Sequence, residues 1–516
     1  MTNGPKIAEA AGLILLLTLI GGFLGLARDM VIAGKIGISA QYDAFLVGMI
    51  IPEGVSTVLT TAIPASFIPI VSSYLHKQKE RGWRFFSNTL TLLIFSLLIF
   101  IALYMVTMSW LIRVIAPGFS GEMHHLAIKL SHLLLPFIFL SGVAILFSAM
   151  LNSYQRFALP AVGPIILNLS IIFFLIGFSG RLGIACLIVG FLVGSLFHIL
   201  VQVPPLFNKG RFRLTFDLSS PDTKRLKELF LPVFTMLIIL YLNAVIVRVF
   251  ASHLPAGSIS ALQYANSLMM LPATLIAGSA GTALLPSMSI LADMKDKSEL
   301  IRYLRLTLKL MVFILAPILV GILILRYPIV FILFERGAFD FDDTKVVSTL
   351  LAYYLGVMVA FPLCSIFRQF LYASQYTKPL IRISLIFVSF QALCCFFLMQ
   401  TLGLNGLALA ASLAMIFNAL LLYREIEKRI GRIVNISLVK SFLTTVLVSF
   451  IAGFSTFSVY HLISSHNFSQ VKLFNQLFYL GLPLSIGLLT FIVFSYLFRM
   501  EELNMVKKVL HNRFIR

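Results

Sequence analysis

The apolar and polar positions of this chain follow neither the two-residue alternation of a half-buried strand nor the one-sided stripe of a surface helix. Apolar runs of about twenty residues succeed one another instead, parted by short loops rich in Lys and Arg. That is the pattern of helices crossing a hydrocarbon core ~30 Å thick. Fourteen spans are predicted, at 9–27, 43–75, 86–115, 127–151, 160–179, 182–204, 229–251, 258–291, 304–325, 346–373, 379–401, 404–423, 438–463 and 474–498. The spans 43–75 and 258–291 exceed what a bilayer needs and contain Pro and Gly, so kinks or tilt are expected. The first run continues to Ala27 without a small-residue cleavage site and reads as a span, not a signal.

Loop charge orients the spans. Loop 76–85 carries Lys77, Lys79, Arg81 and Arg84. Loop 205–228 carries Lys209, Arg211, Arg213, Lys224, Arg225 and Lys227, and loops 292–303 and 424–437 are also basic. The intervening loops are poorer in positive charge, and 326–345 holds Glu335, Asp340, Asp342 and Asp343. This alternation places both termini in the cytoplasm. Segment 205–228 reads either as an amphipathic interfacial helix around Lys224–Glu228 or as a plain connector.

The pattern repeats. Ala44-Phe45 through Phe67-Ile68-Pro69 lines up with Ala261-Leu262 through Leu284-Leu285-Pro286, an offset of 217. Leu151 to Arg156 with Pro160 lines up with Phe370 to Gln375 with Pro379, an offset of 219. Spans 1–6 and 7–12 therefore read as two copies of one six-helix unit. Six is even, so the repeat is parallel, an arrangement associated with alternating access around a central cavity. The expected organisation is an N-terminal lobe at 1–204, a linker at 205–228, a C-terminal lobe at 229–423, and spans 13–14 with a tail of mixed charge at 424–516.

Composition narrows the classes. Of 516 residues 59% are hydrophobic and only 12% charged, about half the charge of a soluble domain. The net charge of +20 lies in scattered inter-helix loops, which suits anionic lipid and not nucleic acid. Cys186, Cys364, Cys394 and Cys395 lie in apolar runs without metal-ligand companions and read as inert thiols. No phosphate loop, metal-spaced ligand set or nucleophile elbow is present, so no cofactor, ATP-driven step or enzymatic activity is expected.

Ionisable residues inside apolar runs are costly and so mark candidates for function. Arg28 and Asp29 sit at the end of the first run, with Asp29 the expected partner of Arg28. Asp43 begins the second run, where it could cap the helix. Glu53 falls within that run with no neighbour in sequence to neutralise it, which makes it the candidate proton carrier.

These residues also carry a resemblance. Gly25-Leu26-Ala27-Arg28-Asp29, Asp43-Ala44-Phe45, Ala116-Pro117-Gly118-Phe119, Leu284-Leu285-Pro286-Ser287 and, most specifically, Phe334-Glu335-Arg336-Gly337-Ala338-Phe339 resemble the MurJ/MviN lipid II flippases. These belong to the multidrug/oligosaccharidyl-lipid/polysaccharide exporter superfamily. The resemblance covers nearly the whole chain and fits fourteen spans better than the twelve usual in drug exporters. It implies an all-α inner-membrane flippase that moves undecaprenyl-pyrophosphate-linked disaccharide-pentapeptide to the outer leaflet. A cationic cavity would take the headgroup, and a groove beside spans 13–14 the lipid tail. The implied partners are this lipid-linked saccharide, membrane lipids and, transiently, cell-wall synthesis enzymes, with the chain acting as a monomer.

The chain departs from the family pattern where several positive charges are usual. Gly22, Ser56, Thr57, Ser267 and Ser365 stand at such positions, and Asn266 and Met270 where an acid is usual. Arg248 and Arg368 are the candidates to rebuild a cationic site with Arg28, with Glu53 facing the same cavity and Ser56, Asn266 and Ser267 in support. The sodium-binding spans of some relatives contain no Asp or Glu here, so membrane potential or a proton gradient is the expected driving force. Alternatives are a flippase for another polyprenyl-linked saccharide, such as an O-antigen or capsule unit, and a cation-coupled drug exporter.

Overall fold

The computed structural model describes residues 4–75, 78–292, 298–373, 378–464, 473–505 and 507. Among these the chain is helical between its turns, with one isolated β-bridge joining Arg336 and Phe339. Twelve stretches are long and apolar enough to cross a membrane. Two details bring them into line with fourteen spans. Helix α14 (Lys378–Ile430) leaves helical geometry at Gly403 and so makes two crossings, and α10 (Ser258–Ala292) covers the eighth expected span.

Helix breaks recur at one spacing. The fourth span is two helices, α4 (Gly121–Leu133) and α5 (Leu135–Ser153), that meet at Leu134. The tenth is likewise two, α12 (Phe341–Tyr353) and α13 (Leu355–Ala373), meeting at Tyr354, 220 positions later. Gly183 ends α7 (Gly163–Leu182) at φ 54, ψ −135, and Gly403 breaks α14 at φ 56, ψ −128, again 220 positions later. Only glycine adopts that backbone region without a steric penalty, so each serves as the hinge between two crossings. The repeat is therefore written in backbone geometry as well as in sequence.

The chain divides into two compact units, Met1–Gln263 with Arg336–Phe339, and Tyr264–Glu335 with Asp340–Arg516. In the first unit α2 (Ala40–Leu75) is the central element, packed by α3 (Lys79–Ile115), α4, α5 and α9 (Pro221–Ala251). It runs as one helix through Pro52, Pro64 and Pro69. Pro52 has no N–H to offer the carbonyl of Gly48 one turn back. Ser131 of α4 fills that vacancy, its Oγ donating to Gly48 O at 3.2 Å and pairing with Tyr104 Oη at 2.6 Å.

The segment before α9 is not an interfacial helix. Residues 210–217 have no regular secondary structure, and Lys224–Glu228 form early turns of α9 itself. The segment is pinned along α3. Asn88 Nδ2 donates to Asp217 O at 2.8 Å, Asp217 N donates to Asn88 Oδ1 at 2.7 Å, and Arg213 N donates to Ser87 Oγ at 3.2 Å.

In the second unit α11 (Ser298–Phe334), α15 (Ile436–Ser464) and α16 (Leu473–Leu497) pack around Phe313, Val448, Ala452 and Phe491. The residues after α16 join this core. Met500 and Leu503 are buried in it, Glu501 pairs with Lys309 at 3.2 Å, and the buried Glu502 accepts from Ser441 Oγ. Mixed charge in the tail thus serves docking as far as the described residues extend.

Candidate functional site

Two kinds of exposed helix surface occur in the first unit. Helix α3 exposes Phe95, Leu98, Leu103, Val106 and Trp110, a surface made for hydrocarbon. Helix α2 instead exposes Glu53, Thr57, Thr60 and Thr61, which share one face at helical spacing. Glu53 lies about 20 Å along the helix from Ala40 at 1.5 Å per residue, deep within the bilayer. A half-exposed carboxylate at that depth is costly against lipid and so points to a wet cavity. This face is the candidate site.

Glu53 is half exposed on it and paired with Arg248 of α9, Oε2 to Nη2 at 3.8 Å. The Arg248 side chain is only 11% exposed, so it is enclosed at the site and does not snorkel toward His253. Tyr241, two turns earlier on α9, donates its hydroxyl to Ile50 O at 2.9 Å and lies against Gly54, where any β-carbon would collide with its ring. This clasp fixes the register of α9 on α2, and with it the distance from Arg248 to Glu53.

Arg28 is held more firmly. Its Nε and Nη2 donate to Asp29 Oδ1 at 2.9 and 2.7 Å, and its Nη1 donates to Asn168 Oδ1 at 3.2 Å. Asn168 in turn donates to Gly21 O at 3.2 Å, which closes the network on α1 (Gly4–Ile36) and α7. Three of five guanidinium N–H groups are engaged, leaving two for a ligand. The buried Tyr42 lies within electrostatic reach of Arg28, Asp29, Glu53 and Arg248, so the two pairs form one neighbourhood. Each Arg there has its own carboxylate, and the four ionised groups cancel. A cationic site is not what these four make unaided.

Asp43 stands apart from them. Ser39 already serves α2, its Oγ accepting from Tyr42 N at 3.3 Å. The Asp43 carboxylate instead accepts from Gly257 N at 2.6 Å and Ser260 N at 2.7 Å, capping α10. The expected cap of the second helix is therefore corrected to a cap of the tenth.

The remaining candidates lie elsewhere. Ser56 is half-buried on α2, its carbonyl accepting from Thr60 Oγ1 at 2.8 Å. In the second unit Asn266 and Ser267 are half-buried on α10. Arg368, half-buried on α13 near Cys364 and Tyr372, has no carboxylate partner among the described residues. Cys186, Cys364, Cys394 and Cys395 are free thiols. No group of three His, Cys, Asp or Glu side chains among the described residues is arranged to hold a metal.

The motif residues that do not touch the polar face explain themselves as close-packing points. Ala338 N donates to Gly34 O at 3.0 Å, and Gly118 N donates to Ser252 Oγ at 3.1 Å. A β-carbon on Gly337 would strike Gly34 O, and one on Gly118 would strike Ser252 O. Burial lowers the pKa of Arg336 in this turn from its ordinary value, though it stays charged.

Comparison with known proteins agrees with the motifs. Residues 32–479 match the family model described as lipid II flippase MurJ. A probable lipid II flippase MurJ of Buchnera aphidicola subsp. Baizongia pistaciae is 30% identical over 419 residues, 80% of this chain and 82% of that protein. The lipid II flippase MurJ of Burkholderia cenocepacia is 27% identical over 426 residues, 80% of this chain and 82% of its own. A solved lipid II flippase MurJ in an inward closed conformation superposes with a TM-score of 0.80 at 26% identity, covering 94% of this chain and 98% of that one. An inward-facing multidrug transporter of the MATE family shares the fold alone, with a TM-score of 0.67 at 15% identity over 83% of this chain and 99% of its own. With its motifs, fold and matched length in agreement, the chain belongs to the lipid II flippase MurJ family.

Proposed function

We propose that this chain moves lipid II, the polyprenyl-pyrophosphate-linked peptidoglycan precursor, between leaflets of a bacterial inner membrane by alternating access. The observations that carry the reading are the polar face of α2 with its Glu53–Arg248 pair and, on α1, the Arg28–Asp29 pair within electrostatic reach of it. A pyrophosphate is the ligand for which planar, forked donors are best suited. Arg28 offers its two uncommitted N–H groups. Arg248 is held by Glu53 across 3.8 Å, too long for a strong bond, and an incoming phosphate displaces that carboxylate. Arg368, without a carboxylate partner among the described residues, supplies further positive charge. Protonation of Glu53 would release Arg248, which couples substrate capture to a proton or to membrane potential.

In the same reading both termini are cytoplasmic, and the functional lobes follow the repeat, at 1–204 and 229–423. The chain acts as a monomer in transient contact with cell-wall synthesis enzymes. Ser56, Asn266 and Ser267 contact the saccharide as neutral donors.

A second reading, a flippase of another polyprenyl-linked saccharide, draws on the charge balance of the Arg28–Asp29 and Glu53–Arg248 pairs and on neutral residues at Ser56, Asn266, Ser267 and Ser365. Vesicles containing the purified chain distinguish the two. The first requires labelled lipid II to cross faster than a labelled O-antigen carrier. The reverse order supports the second.

A further inference from the structure

The first unit contains a cavity of about 340 Å³ among α2, α3 and α9, away from the polar face of α2. Its walls include Leu59 and Phe67, Leu93 and Leu97, and Phe230 and Phe234, two from each helix. Three of its polar side chains are bonded to backbone carbonyls. Ser66 Oγ donates to Ala62 O at 2.8 Å, Thr89 Oγ1 to Phe85 O at 2.8 Å, and Thr223 Oγ1 to Asp217 O at 3.1 Å. A space lined almost wholly by apolar side chains holds hydrocarbon and not water. Its volume lies within the ~300–1,000 Å³ range of binding sites. Ser96 and Phe100, exposed beside Phe95 and Leu98 on the lipid-facing side of α3, mark its opening into the bilayer.

One end is charged. Lys227 lines the cavity one turn from Phe230, on the side where Lys224, Arg225, Arg211 and Arg213 also lie. Asp222 is already taken, accepting from Tyr74 Oη at 2.6 Å and pairing with Arg81 at 3.4 Å. Glu228 is the neighbouring acid on α9 and is exposed. Lys227 has no ion-pair partner among the described residues. A dry slot in a bilayer, closed at headgroup level by an unneutralised ammonium, is complementary to a hydrocarbon chain that ends in one phosphate.

We infer that this cavity seats one acyl chain of an anionic phospholipid, with its phosphate held at Lys227. A polyprenyl chain has far more length than the slot takes. The site is therefore distinct from the substrate path and does not depend on which saccharide is carried.

The test uses the full-length chain in detergent with phosphatidylglycerol carrying a mid-chain diazirine, or phosphatidylcholine with the same chains. Mass mapping after illumination is expected to place the phosphatidylglycerol label on residues 89–100 and 223–234, at about fivefold the level given by phosphatidylcholine. Lys227→Gln should lower phosphatidylglycerol labelling to the phosphatidylcholine level, and Leu93→Trp, which fills the slot, should abolish it. Ser96→Phe, which blocks the mouth from the exposed side, repeats that test if Leu93→Trp fails to fold. Equal labelling by the two lipids, or labelling that survives both blocking variants, overturns the inference. So does displacement of the probe by undecaprenyl phosphate more readily than by unlabelled phosphatidylglycerol.

Discussion

Asp43 and Ser260 are hydrogen-bonded at 2.7 Å across 217 residues of chain, and 217 is the offset that aligns Ala44 with Ala261. The bond therefore joins equivalent positions of the two repeats. A neighbouring pair of contacts is related by nearly the same offset. Gly118 meets Ser252, and Ala338, 220 positions after Gly118, meets Gly34, 218 positions before Ser252. These contacts account for Asp43, Gly118, Gly337 and Ala338 among the motif residues.

Replacing Asp43 tests the cap. Asp43→Ala leaves the Gly257 and Ser260 N–H groups in a buried site without their acceptor, at about 1–3 kcal/mol. The melting temperature of the purified protein should fall. Asp43→Asn should recover part of the loss, because its amide oxygen still accepts one of the two bonds.

Close packing gives a sharper contrast. Gly118→Ala and Gly337→Ala each drive a methyl group into backbone, whereas Gly121→Ala meets nothing within 4 Å. Thermal melts should show the first two destabilised, by roughly 1–3 kcal/mol as overpacking does, and the third unchanged.

The Glu53–Arg248 pair should contribute little to stability. Glu53 is half exposed and the pair spans 3.8 Å, so under ~1 kcal/mol is expected. Glu53→Gln should leave the melting temperature within a degree or two while tightening binding of a pyrophosphate lipid, because Arg248 is released. Arg248→Gln should weaken that binding by about tenfold, the loss of one charge-assisted contact. Equal affinity in both variants would remove the pair from the substrate path.

Arg28→Lys is not conservative here. A lysine has no planar fork to reach Asp29 and Asn168 together while keeping donors free. Flipping should fall by about tenfold or more. A double-mutant cycle between Arg28 and Asn168 should show coupling above ~0.5 kcal/mol.

The spans, the repeat and the partnership of Arg28 with Asp29 were legible in the sequence because each is a local or periodic signal. The breaks at Leu134 and Tyr354 were not, since each falls inside one run of span length, and the nearby Pro136 and Gly356 are residue types that α2 carries at Pro52 and Gly48 without breaking. Asp43 sits where a helix cap belongs, but Ser39 had already met that need, and only the tertiary fold reveals Gly257 and Ser260 as its donors. Glu53 had no partner in sequence because Arg248 arrives from 195 positions away. The segment 205–228 is a strap and not an interfacial helix because Asn88 and Ser87 bind its backbone, a pairing that composition does not signal. Residues 374–377, which fall within the matched repeat, lie outside the described residues.

Complementation tests the central claim most directly: deplete the lipid II flippase of a bacterium that depends on it and express this chain. The account predicts growth with lipid II reaching the outer leaflet, and loss of both in Arg28→Ala and Arg368→Ala variants that still accumulate in the membrane. Absence of growth with the wild-type chain well expressed, or full growth with both arginines replaced, would contradict it.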